Sequence, residues 1–317
     1  MASLTIALSV LVCAAAFGAA QAQDKTIVTL GTATPGGGFP VYGDAVAQTI
    51  NDTDASLLVQ PRNTKGSAEN IPLLEAGTLD IALVQGEAAF EALNGVGRAP
   101  ADLKIIAAMY ATAGMFVVRA DSPYRSIQDL KGQKVAFGAR GSGLVILARY
   151  VLDGIGLDQD RDFQAIYLER AGDGPAMVLD GRAAALWGGG IGWPGFATMA
   201  RSEPGARFIT PSAEEIARIR ARHSFLRPLA IPAGIYPKQE TELRSVGSWS
   251  FIMARPTLPD DVAWRLARAL HRGEPALAQR LAQARETTAA NTAAAVPRPD
   301  LLHPGVARYL HEQGLLR

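Results

Sequence analysis

Cysteine is nearly absent from this sequence. The single one, Cys13, lies in an apolar stretch over residues 4–20 that is followed by Ala20-Gln21-Ala22. A short apolar run before an A-x-A site reads as a secretory signal peptide, residues 1–22, too short for a membrane anchor. The flanks of Cys13, Val-Leu-Val before and Ala after, do not make a lipoprotein site. A chain starting at Gln23 then holds no cysteine, which excludes disulfides and thiolate metal sites. An exported, cysteine-free protein suits a bacterial periplasm.

Charge of either sign is also not in excess. There are 31 Lys and Arg against 30 Asp and Glu, a formal net charge of +1. Nothing in that balance marks a nucleic-acid partner or an acidic disordered tail. Past residue 22 no apolar run approaches the roughly 18 residues of a spanning helix, so the mature chain reads as soluble. Catalytic patterns are missing too. The four histidines, His223, His271, His303 and His311, show neither H-x-x-x-H nor H-E-x-x-H spacing, and no G-x-S-x-G elbow exists. The acidic pairs Asp52/Asp54, Glu214/Glu215 and Asp260/Asp261 fall at helix ends or on polar faces. Ser142 in "RGSG" reads as a hydroxyl donor to a ligand or a helix cap rather than a nucleophile. The expectation is a binding protein, not an enzyme, with no catalytic residue, metal ligand or cofactor.

What is present is an alternation of strands and helices. "TIVTLGTA", "SLLVQPRN" and "DIALVQ" read as strands, separated by the helices "FPVYGDAVAQTIND" and "GSAENIPLLEAG". The first helix is given Val41, Ala45 and Ile50 as one face. The pattern restarts after "FVVRAD" with "QKVAFG", "SGLVILARYVLDGIG", "FQAIYL" and "AAALWG". Such alternation argues for βαβ units and mostly parallel sheets. Farther on, "TLPDDVAWRLARALHRG" predicts a helix with Pro259 in its first turn and Gly273 at its end. Val262, Leu266 and Leu270 form its core stripe, and Arg265, Arg268 and Arg272 a solvated face.

Glycine is abundant at two special places. "LGTATPGGGFPVYG" and "FGARGSGLVILARY" each run from a strand through a Gly-rich turn into a helix start. Glycine permits positive φ and removes Cβ, so backbone N–H groups can approach a ligand. The helix start adds unsatisfied donors and a partial positive charge. Two such turns, one in each half, suit a small anion held between them. "GARGSG" is not G-x-G-x-x-G, and no G-K-[ST] follows either turn, which argues against a dinucleotide or NTP site.

At this point a resemblance becomes visible. "GTATPGGGFPVYGDAVAQTIN", "NTKGSAENIPLLEAGTLDIALVQ", "FVVRADSPYRSIQDLKGQKVAFGARGSG", "IPAGIYPKQ", "LPDDVAWRLARAL" and "LHPGVARYLHEQG" follow one another along almost the whole mature chain. In order and spacing they resemble the TAXI family of solute receptors, the extracytoplasmic components of tripartite ATP-independent periplasmic (TRAP) transporters. The resemblance implies a bilobal type II periplasmic-binding-protein fold, two α/β domains with crossing hinge strands and C-terminal helices. Domain 1 would comprise residues 23–117 and 246–317, and domain 2 residues 118–245. The chain would cross near Gly114 to Ala120 and return near Val246 to Phe251. The implied ligand is a small anionic solute, a carboxylate such as glutamate, glutamine or 2-oxoglutarate. The implied partner is a TRAP-type integral membrane subunit, and the receptor itself is expected as a monomer. A same-fold receptor for an ABC transporter or a sensor kinase stays open, as does an exported enzyme on this fold.

Carried over by position, the resemblance places Thr34, Gly37, Gly38 and Phe39 at the cleft, with Tyr42 either a ring wall or a core residue. Thr64, Ser67 and Asn70 start the next helix, and Gln85 ends the third strand. The second domain supplies Arg140, Gly141, Ser142 and Gly143, then Trp187, Gly188, Gly189 and Trp193, the two tryptophans flooring the site or packing behind it. The chain departs from the family pattern at "FPVY", at Lys65 and at "GARGSG". Arg140 either adds a charge at the cleft mouth or lies outside it in water.

Overall fold

Residues 25–316 are described by the structure, a computed structural model; the stretch read from the sequence as a signal peptide, 1–22, lies outside them. The chain starts as a wound α/β unit: β1 (Thr26–Gly31), α1 (Gly38–Thr53), β2 (Leu57–Arg62), α2 (Ser67–Glu75), β3 (Ile81–Val84) and α3 (Gly86–Asn94). β1 pairs in parallel with β2 on one side and β3 on the other. All four residues of β3 are buried, as a strand covered on both faces requires. On α1 the buried face is Tyr42, Val46, Thr49 and Ile50, one stripe at helical spacing. Val41, assigned to that face from the sequence, is half exposed instead. It lies on the outer side of the turn that buries Tyr42.

β4 (Lys104–Arg119) and β10 (Leu243–Ala254) are the long strands. They pair antiparallel from Lys104 to Ala113. Beyond Ala113, β4 leaves β10 and pairs with β7 (Ala185–Gly189) and β8 (Ala206–Ile209). β10 in turn pairs with β9 (Arg227–Ile231) up to Gly247, and with β3 from Phe251. β4 therefore passes from one sheet into the other, while β10 stays in the first sheet and runs between the two units. β5 (Lys134–Ala139), α4 (Gly143–Gly154), β6 (Gln164–Leu168), α5 (Gly174–Leu179), α6 (Pro194–Arg201) and α7 (Ala213–Arg222) complete the second unit. The first unit is completed by α8 (Asp260–Arg280), α9 (Ala289–Ala295) and α10 (Pro304–Glu312).

The apolar cores follow the same division. Two clusters draw on Val28 to Tyr110 together with Phe251 to Leu310, and two others on Ala113 to Val246. The architecture is bilobal α/β. At the crossing, Gly114 faces the Trp187 ring and Gly247 faces the Thr112 carbonyl, with no room for a Cβ at either. Side chains there would push the two long strands apart.

The helix predicted to stop at Gly273 instead runs on to Arg280, through Gly273 and Pro275. Gly273 is there for packing. It lies against Thr49 of α1, where a Cβ would meet the threonine methyl. Val262, Leu266 and Leu270 are buried, but the arginine face is not uniformly solvated. Arg268 bonds Asp54 at 2.7 Å and lies over the Trp264 ring, Arg265 is mostly buried, and only Arg272 is exposed. The reason is the contact of α8 with α1 and α10, which folds these side chains back onto protein.

Gly273→Ala separates the two roles of this glycine. Alanine gains about 1 kcal/mol of helix propensity, whereas crowding against Thr49 costs about 1–3 kcal/mol. The single variant is expected to melt at a lower temperature than wild type. In a Thr49→Ser background, which removes the methyl, the same change should be neutral or stabilising. A stabilised single variant would show that the helix contact tolerates the methyl.

Candidate functional site

Between the lobes lies a cleft of about 50 Å³, room for only a few water-sized groups. Five helices point their N-termini at it. Gly38 and Phe39 open α1, Gly66 and Ser67 open α2, and Gln85 is the N-cap of α3. Across the cleft, Ser142 and Gly143 open α4, and Trp193 is the N-cap of α6. Each start carries backbone N–H groups without intrahelical partners and a partial positive charge, so their fields add in the cleft. The remaining wall includes Tyr110 and Thr112 of β4, and Ala171. Among the described residues, Lys65 is the only charged one in the lining.

Local chemistry explains the shape. In the turn Thr34–Gly38, Gly36 takes φ of 82°, the left-handed region that glycine tolerates. Gly37 is extended at φ −86° and donates its N–H to the Thr34 carbonyl at 3.3 Å. The positive φ expected of this turn thus falls one residue before Gly37. Ser142 caps α4, its Oγ accepting from the Leu144 N–H at 3.2 Å. The Oγ of Ser67 accepts from the Gln85 N–H at 3.0 Å and so ties the end of β3 to α2. Gln85 donates its Nε2 to Glu87 at 2.9 Å, and Ser248 of β10 donates to the other oxygen of Glu87 at 2.7 Å. Glu87 is fully buried, and burial pushes its carboxyl above the ordinary range despite those two bonds.

The lobes are shut on one another. Ala68 N–H donates to the Gly141 carbonyl at 3.0 Å, and Ala171 N–H to Thr34 Oγ1 at 3.1 Å. Gly36 and Gly172 meet backbone to backbone. To one side, Glu91 of α3 is held by Arg149 and by Tyr150, the latter at 2.9 Å. Any ligand larger than the present cavity needs the lobes to part.

The sequence-derived site residues divide into two groups. Thr34, Gly37, Gly38 and Phe39 line the cleft, with Ser67 and Gln85 from the same lobe. Ser142, Gly143, Gly189 and Trp193 line it from the other. The others stand outside the lining. Tyr42 is in the core, bonded to Thr287 at 2.9 Å and set edge-on against Tyr110, so it buttresses a wall residue. Thr64 donates to the Thr32 carbonyl and accepts from Gly66, holding its own turn. Asn70 donates to the carbonyls of Thr32 and Leu83, joining α2 to the ends of β1 and β3. Gly141 turns its carbonyl to Ala68, and Trp187 is buried with Nε1 on the Leu144 carbonyl. Arg140 is exposed, its guanidinium 5.4 Å over the Tyr167 ring, and it is not among the residues that line the cleft. Tyr110 and Thr112 were missed. They are alternate residues of a crossing strand, and the period-2 rule for "YAT" would have found them once that strand was placed at the cleft.

Two α/β lobes joined by a pair of crossing strands, and shut on a cleft walled by helix N-termini, define the bilobal fold of periplasmic solute-binding proteins. Solved structures share it. A protein of Bordetella bronchiseptica RB50 superposes with a TM-score of 0.55 at 18% identity, covering 92% of this chain and 81% of its own. The alkanesulfonate-binding protein SsuA of Xanthomonas axonopodis pv. citri, bound to MOPS, gives 0.50 at 17% identity, with 93% and 95% covered. A periplasmic sulfonate-binding protein, SsuA of Methylobacillus flagellatus KT, gives 0.50 at 12% identity, with 92% and 96% covered. Residues 30–314 match the NMT1-like family, and the chain belongs to it. Among the described residues no helix is long and apolar enough to cross a membrane.

Two outcomes follow from this geometry. A Cβ on Gly143 would collide with Gln85 and Ser67 of the opposite lobe. Gly143→Ala should therefore fold normally but fail to shut, with a larger radius of gyration in X-ray scattering. An unchanged radius would show that closure does not depend on that contact.

Glu87 predicts a pH effect of definite sign. A carboxyl whose pKa is raised on folding stabilises the fold below its unfolded pKa, about 4.3, and loses that contribution as pH rises through the folded value. Glu87→Gln mimics the protonated form. Its melting temperature relative to wild type should climb in the variant's favour as pH rises above the unfolded value of about 4.3. A difference independent of pH would mean that the Glu87 pKa does not change on folding.

Proposed function

We propose that the protein is a periplasmic solute receptor that closes around one small anion and hands it to a membrane transporter. The observation that carries this reading is the convergence of five helix N-termini on a cleft whose only charged lining residue is Lys65. A cleft of that sign favours an anion and repels a cation. No histidine, cysteine or carboxylate lines it, which favours capture over catalysis. The solute class is a small carboxylate of the glutamate, glutamine or 2-oxoglutarate kind, and the partner a TRAP-type membrane subunit, as the TAXI resemblance implies. Residues 23–117 with 246–317 would move against 118–245, with β4 and β10 as the hinge. Contacts come from the cleft-lining residues Thr34, Gly37, Gly38, Ser67, Gln85, Ser142 and Gly143, with Lys65 supplying charge. The apparent signal peptide supports export. A sulfonate head group is the second reading, favoured by the alkanesulfonate-binding relative of the same fold.

Native mass spectrometry of the purified protein should reveal a co-purifying small acid, and a cationic ligand would overturn the proposal. In calorimetry with that acid, Lys65→Ala should weaken binding about 5- to 10-fold at low salt and less at high salt, since Lys65 is exposed and screened. Arg140→Ala should change affinity by less than about 0.5 kcal/mol. The opposite order of effects would move the charge contact from Lys65 to Arg140.

A further inference from the structure

A second and larger cavity, of about 280 Å³, borders both lobes and the hinge. Its first wall is α3, with Ala89, Phe90 and Leu93. The hinge strand β10 supplies Trp249 and Phe251, and Phe225, just ahead of β9, closes the far side. Phe225 stacks on Phe90 with centroids 3.9 Å apart and planes 6° apart, so an aromatic of each lobe meets here. Arg227 and Arg298 also line the cavity, both exposed, and no acidic residue does. Arg227 has no ion pair among the described residues, and Arg298 reaches only its near neighbour Asp300, at 3.3 Å.

We propose that this cavity is a second ligand site, for a small amphiphilic acid such as an aryl carboxylate. The volume is close to the lower bound of about 300 Å³ for small-molecule pockets. Aromatic side chains from two lobes take the apolar end, and two arginines take the carboxylate. The arginine fork pairs with a carboxylate through two parallel bonds, which a neutral amide cannot match. Charge and apolarity thus select the same class of molecule.

The position of the site gives it a consequence for the cleft. An occupant touches both lobes and the hinge strand, so it binds the shut arrangement better than any other. Binding at one site therefore strengthens binding at the other, by the same factor in both directions. The structure also joins the two sites through bonds: Ser248 borders this cavity and donates to Glu87, which accepts from Gln85 in the cleft.

The test uses 3-phenylpropionate and its uncharged amide, titrated into the mature chain by calorimetry and followed by Trp249 fluorescence. The acid should saturate with a Kd below about 1 mM, and the amide should bind at least about tenfold more weakly. The double variant Arg227→Gln, Arg298→Gln should bring the acid to the level of the amide. Trp249→Phe should remove the fluorescence change. Absence of saturation up to about 10 mM would overturn the site. Equal binding of acid and amide, or full affinity in the arginine double variant, would each do the same. The arginine double variant also keeps this site distinct from the cleft, whose lining holds neither arginine and whose anion is tested separately.

Discussion

The antiparallel pairing of β4 with β10 is the constraint on which the rest of this structure depends. Ten residues of β4 lie against β10 in one sheet, and the next six are handed to a second sheet. A strand cannot pair with two sheets at once without leaving a seam. At that seam Gly114 and Gly247 let a ring and a carbonyl come close. The same seam sets Tyr110 and Thr112 at the floor of the cleft, because every second residue of a strand faces the same side. Fold and cleft therefore share one mechanical element.

The cleft is built from backbone more than from side-chain charge. Buried charges are costly to desolvate, whereas helix N-termini present dipoles already fixed by the helix hydrogen bonds. Glycines at 37, 38 and 143 and small side chains at Ser67 and Ser142 leave those N–H groups uncovered. Larger groups stand one layer back. Tyr42 supports Tyr110, Asn70 locks α2 to two strand ends, and Trp187 fills the core beneath α4. The polar line from Gln85 through Glu87 to Ser248 runs from this cleft to the hinge strand.

Local signals identified most of the elements and the Gly-rich turns that begin α1 and α4. Thr34, Gly38, Ser67, Gln85 and Gly143 came from the resemblance carried over by position, and each stands where a strand gives way to a helix, the feature that local signals do mark. Such signals misread Gly273, because a glycine in a helix pattern is a stop unless something packs against it. Thr49 does so, and it lies more than 200 residues away in the chain. Arg140 was ambiguous for a related reason. Its loop follows from "GARGSG", but the guanidinium finds the Tyr167 ring on a neighbouring strand.

By itself the sequence determined an exported-looking α/β chain, its one cysteine confined to the leading apolar stretch, with strands of period 2, helices of period 3.6 and two glycine turns primed for a ligand. These are properties of segments of roughly 5 to 20 residues, where local sterics and apolar spacing decide. Only the tertiary structure decided that five helix starts share one cleft, that Lys65 lines it while Arg140 does not, and that Phe90 meets Phe225 beside a second cavity. Those facts depend on how two lobes close about β4 and β10. Closure is a contact between residues far apart in the chain, and no local pattern encodes it.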